Sequence, residues 1–95
     1  MENKSINPEH VHASVLSGHE YALGVIADPK CTPDLFSVIA FSEVYRHYNI
    51  TYSIIPHDSV EFIAFTSMVS QELAKLIKGE SAESIQEYIL TECWK

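Results

Sequence analysis

Basic side chains are scarce in this chain. Six Lys and Arg stand against 13 Asp and Glu, and the formal net charge is −7. So few scattered cations cannot form the basic stripe that phosphates demand, which argues against direct binding to DNA or RNA. The acids are spread along the chain, with a slight excess at Glu80, Glu83, Glu87 and Glu92. Such a surface suits solubility or a basic protein partner.

Glycine is nearly absent. Gly18, Gly24 and Gly79 are the full set, so neither GxGxxG nor a phosphate-binding loop can be built. No GxSxG elbow occurs; Ser17-Gly18-His19 has suitable residue types without a nucleophile's context. Two cysteines, Cys31 and Cys93, form no CxxC and no Cys/His zinc spacing. They read as reduced thiols, and would pair only in an oxidising compartment. No apolar run approaches a membrane span, and the opening MENKSINPEH is too polar for a signal peptide. The expectation is a cytoplasmic protein of one domain, residues 1–95, with residues 1–6 disordered, no cofactor and no membrane partner. A chain of this size has a marginal core, so a homodimer or higher homo-oligomer is also expected as a source of burial.

Capping residues organise what is present. Asn7-Pro8-Glu9 reads as cap, first-turn proline and first-turn acid, and Gly18 as the stop, giving a helix over 8–17. The alternation of Val11, Ala13 and Val15 with His10, His12 and Ser14 offers a strand instead. The apolar run Glu20–Asp28 reads as a buried strand. Thr32-Pro33-Asp34 opens a helix over 33–48, with Asn49 as its stop. Ile50, Tyr52 and Ile54 alternate with Thr51 and Ser53, which reads as a strand closed by Pro56.

Asp58-Ser59-Val60-Glu61 reads as a capping box with aspartate as the cap. Phe62, Phe65, Val69, Leu73 and Leu76 follow as one stripe, Ser67, Ser70 and Ala74 as a second face of small residues, and Gly79 as the stop. Ser81 caps a last helix over 81–95 with Ile85, Tyr88, Ile89 and Cys93 on one face. The expected fold is therefore α/β, in the order α-β-α-β-α-α. Helices would pack on a small sheet completed by residues 10–16 or by dimerisation. The alternative is a β-hairpin over residues 35–55 followed by two C-terminal helices.

Few residues suggest chemistry. His10, His12 and His19 fall within ten residues, which raises a metal site. On a helix, however, His10 and His12 point to different sides, so surface histidines are the simpler account. Cys31 sits just before the 33–48 helix, where the helix dipole favours a thiolate, and it is a candidate reactive thiol. The segment ALGVIADPKCTPDLFSVIAFSEVYRHYNITYSII resembles the opening of thioredoxin-like proteins in its order of strand, cysteine loop, helix and strand. That likeness implies redox use of Cys31. Asp34 stands where the second redox cysteine would be, and the likeness is one of shape, not of family. Glu43, Arg46 and His47 share a helix end and read as a solvated ion pair.

Tyr45, Tyr48 and Tyr52 cluster at one turn, and Glu87, Tyr88 and Trp94 lie near the chain end. Tyrosine and tryptophan are favoured at interfaces, so both groups are candidate partner-binding surfaces. The functional expectation is a small acidic protein-interaction module, of the kind seen among inhibitors, antitoxins, immunity proteins and phage-type host modulators. The alternatives are a thiol-based redox protein or sensor using Cys31, and a small-ligand or metal binder using the three histidines.

Overall fold

A computed structural model describes residues 6–52, 55–56 and 59–93. Among them are four helices and no strand: α1 (Pro8–Val25), α2 (Pro33–Thr51), α3 (Val60–Leu76) and α4 (Ala82–Glu92). Among the described residues the expected sheet is therefore absent, and with it the hairpin alternative and any strand that a second subunit could extend. The likeness to thioredoxin-like proteins goes too, because α1 runs on to Val25 and α2 to Thr51, and neither expected strand forms among the described residues.

Each helix begins where a side chain satisfies an orphan N–H. Asn7 Oδ1 accepts from the Glu9 N–H at 2.9 Å, and Thr32 Oγ1 from the Leu35 N–H at 3.1 Å. Ser59 Oγ accepts from the Phe62 N–H, and Ser81 Oγ from the Ser84 N–H, both at 3.1 Å. Serine 59 is thus the cap of α3, one residue later than expected; Asp58 lies outside the described residues. After α3, Gly79 adopts φ +88°, a left-handed turn that glycine enters without steric cost.

Gly18 is not a stop. It is buried inside α1, where a Cβ would stand 2.6 Å from the Ala40 carbonyl oxygen and 2.6 Å from Val44 Cγ2. The missing side chain lets α1 and α2 touch along their backbones. The helix therefore continues into the run read as a strand, as far as Val25. Of its residues only Ala22 is buried, while Tyr21, Leu23 and Val25 face outward. The chain then turns at Asp28-Pro29, with the Asp28 carboxylate accepting from the Lys30 N–H and its carbonyl from the Cys31 N–H. The helix has by then ended at Val25, with Ile26 as its cap, and the residue before a proline disfavours its resumption at Asp28.

The second strand fails for a different reason. Phe41, Val44 and Tyr48 are buried at helical spacing and carry α2 on to Thr51. Ile50, by contrast, is 71% exposed, so its alternation with Thr51 marks no buried face. Ser53 and Ile54 lie outside the described residues. Asn49 sits within the helix, and its Oδ1 accepts from the Ile55 N–H at 2.9 Å, drawing the connection back onto α2.

α1 packs most broadly on α2 and α3 on α4, with smaller contacts of α1 on α3 and α2 on α4. The remaining gap between α2 and α3 is filled by rings. Phe41, Tyr45 and Tyr48 meet Phe62 and Phe65 at centroid separations of 5.0–6.1 Å. Edge-on and tilted pairs of this kind add to the burial energy. On α3, Phe62, Phe65, Val69 and Leu73 are buried as the stripe requires, and Ile77 just beyond the helix is buried in place of Leu76. Ile85 and Ile89 bring α4 into the same core.

Candidate functional site

Every histidine among the described residues ties α1 to another helix. His10 stacks on Tyr52 at the end of α2, with ring centroids 4.1 Å apart and planes 6° from parallel. His12 Nδ1 lies 2.9 Å from Glu72 Oε1 on α3. His19 meets the edge of Phe36 on α2 at 5.6 Å. His47 of α2 reaches back, its Nδ1 3.1 Å from Ser14 Oγ on α1. The crowding of His10, His12 and His19 in sequence thus reflects one helix meeting several neighbours. Among the described residues no group of three or more His, Cys, Asp or Glu side chains gathers as metal ligands would.

The tyrosines of α2 divide by depth. Tyr45 stacks among the core rings and donates its hydroxyl proton to the Ile55 carbonyl. Tyr48 is 2% exposed, and its hydroxyl accepts from the Asn7 N–H at 3.1 Å. Tyr52 alone is largely open, at 41%. On α4, Glu87 is exposed and Tyr88 partly so; Trp94 lies outside the described residues. Arg46 pairs with Glu43, which raises the guanidinium's pKa through the hydrogen bond first and charge second, while His47 turns away to Ser14.

The two cysteines are free and differ in setting. Cys93, at the end of α4, has its thiol pushed up by burial, with Glu92 adding and a hydrogen bond to Ser42 opposing. Cys31 lies immediately before the Thr32 cap of α2 and lines a cleft of about 420 Å³. This cleft forms at one end of the bundle, between the end of α1, the start of α2 and the end of α3. Its apolar walls are Leu23, Ile26, Phe36, Leu76 and Ile77, and its polar residues are His19, Cys31, Thr32 and Lys78. Two residues singled out separately in the sequence, Cys31 and His19, thus share one cleft. His19 Nδ1 is buried with no hydrogen-bond partner among the described residues.

No protein-family model, curated protein or solved structure matches this chain. Two surfaces among the described residues group several large apolar side chains with polar ones. One is the cleft. The other is the outward side of α1, where Leu16 and Leu23 are 44% and 51% exposed and share a stripe with Glu9 and Glu20; Tyr21 and Val25 are exposed on a different side of the helix. Sequence reasoning missed this second surface because Gly18 was taken to end the helix. Leu16 and Leu23, seven residues apart, share a face only if the helix runs through it. No helix among the described residues is long and apolar enough to cross a membrane.

Proposed function

We propose that this protein is an interaction module that works by binding a protein partner through the outward face of α1. The observation that supports the reading is the row Leu16–Leu23, two large aliphatic side chains left open on a long helix and accompanied by Glu9 and Glu20. Apolar groups in the centre with charge around them are the make-up of a recognition patch. The partner's matching surface is apolar with a Lys or Arg rim, because an acidic rim repels a like-charged one. Inhibitors, antitoxins, immunity proteins and phage-type host modulators remain the classes that fit this size and charge. The C-terminal helix, with Glu87 and Tyr88, is the second candidate surface.

Native mass spectrometry of the protein isolated from its own cells, beside the Leu16→Lys variant, tests this. A partner present at fixed stoichiometry and lost from the variant supports α1. A partner retained by Leu16→Lys but lost on Glu87→Lys moves the surface to α4. A chain that travels alone sinks the reading.

A second reading is favoured by the position of Cys31, which shares the cleft with His19 and precedes the N-terminus of α2. A thiol so placed suits a sensor that is modified by an electrophile or oxidant entering the cleft.

A further inference from the structure

The cleft at the bundle end differs in charge from the rest of the molecule. The chain carries 13 acids, yet none of the nine residues that line the cleft is Asp or Glu. Lys78 supplies a full positive charge there, and α2 begins beside it with its unpaired N–H groups and positive dipole end. Glu20, Asp28, Asp34 and Glu80 stand within two residues of the lining in sequence but outside it; Asp28 accepts from the Lys30 N–H and Glu80 from the Ser84 hydroxyl, while Asp34 is the first-turn acid of α2. Thr32 Oγ1 accepts from the Leu35 N–H and keeps its proton to donate. The rest of the lining is apolar apart from His19 and Cys31: Leu23, Ile26, Phe36, Leu76 and Ile77.

From this arrangement we infer that the cleft binds a small amphipathic monocarboxylate, with its apolar body against Phe36 and Leu76 and its carboxylate toward Lys78 and Thr32. A volume of about 420 Å³ falls in the usual range of small-ligand clefts. An apolar wall with a few converging polar groups is the usual composition of such a site. A cationic ligand is disfavoured by Lys78. A neutral one leaves the Lys78 charge unused, although it gains the same apolar burial. His19 adds an imidazole to the lining, which can donate to a carboxylate from a ring nitrogen that carries a proton. This site goes beyond the proposed partner surface; the two share Leu23, while Leu16, Glu9 and Glu20 lie outside the lining.

The test is an NMR titration of the full chain with octanoate, with 1-octanol as the uncharged probe of equal chain length. Octanoate is expected to shift the signals of His19, Cys31, Thr32 and Phe36 and to saturate. Lys78→Met is expected to weaken octanoate about fivefold, as loss of one partly exposed ion pair should, and to leave octanol unchanged. Lys78 is exposed, so the variant keeps its fold; Lys78→Gln is the second, more polar control. Equal affinity for octanoate before and after the change overturns the inference. So do shifts that never saturate, or that centre on Leu16 and Glu20. The last outcome would leave the α1 surface standing and remove the cleft.

Discussion

Gly18 and Ala40 are in backbone contact: a Cβ on Gly18 would stand 2.6 Å from the Ala40 carbonyl oxygen. Backbone cannot swing aside as a flexible side chain does, so the two helices must separate to admit a methyl group. Gly18→Ala is expected to destabilise the protein by about 1–3 kcal/mol, read from urea unfolding. Gly24 has nothing within 4 Å of its would-be Cβ and lies in the same helix. Gly24→Ala should stabilise by about 0.5–1 kcal/mol. Opposite signs from one chemical change would confirm that α1 runs unbroken through Gly18. Equal signs would refute it.

Tyr48 and Tyr52 are four residues apart and should behave very differently. Tyr48 is buried among rings and receives the Asn7 N–H, whereas Tyr52 is largely open and stacks on His10. Tyr48→Ala should cost about 3–5 kcal/mol, the range of large aromatic truncations in cores. Tyr48→Phe should cost about 1 kcal/mol, because the Asn7 N–H loses its acceptor. Tyr52→Ala should cost less than about 2 kcal/mol, since its ring meets His10 and Tyr48 but is largely open. Thermal melts of the three variants would decide whether this group serves the core or a partner. A Tyr48→Ala protein as stable as Tyr52→Ala would contradict the packing.

The His12–Glu72 pair carries a pH dependence with a definite sign. Glu72 is held below its ordinary carboxyl value of 4.5, first by the hydrogen bond to His12, with Lys75 assisting and desolvation opposing. A carboxylate whose folded pKa is depressed stabilises the fold at pH above 4.5, and this contribution is lost as pH falls through the lower folded value. The His12 side chain is 57% exposed, so the pair is worth no more than about 1 kcal/mol. An NMR titration of the Glu72 carboxyl should show its pKa rising toward 4.5 in His12→Ala. No movement would mean that α1 and α3 do not meet through this pair.

The thiols should react at unequal rates. Burial holds the Cys93 thiol in its protonated form, and the thiolate is the nucleophile. Cys31 lines an open cleft beside the start of α2. Iodoacetamide at neutral pH, followed by peptide mass spectrometry, should label Cys31 well before Cys93. Equal and slow labelling of both would end the sensor reading.

Capping chemistry carried most of what was legible in the chain. Asn7, Thr32 and Ser81 announce their helices because an N-terminal N–H needs an acceptor whatever the rest of the molecule does. Gly79 announces a stop because only a residue without Cβ enters its turn cheaply. The stripe Phe62, Phe65, Val69 and Leu73 was legible for a similar reason, since helical spacing alone puts these side chains on one face.

The fold class was decided elsewhere. Glycine is ambiguous in sequence: Gly79 ends a helix, while Gly18 lies in the middle of one because Ala40 and Val44 press against it. The β-rich runs at 20–28 and 50–55 favour strand locally, and a strand needs a neighbour to pair with. None forms among the described residues, because the rings of α2 and α3 bury better as a helical core. The site followed the fold. Cys31 and His19 were each visible in the sequence as lone residues, but they face one cleft only because α1 extends to Val25 and brings its end against the start of α2. Composition, caps and charge were thus determined by the chain itself. Which apolar residues became core, and which stayed outside as surface, depended on contacts between segments far apart in the sequence.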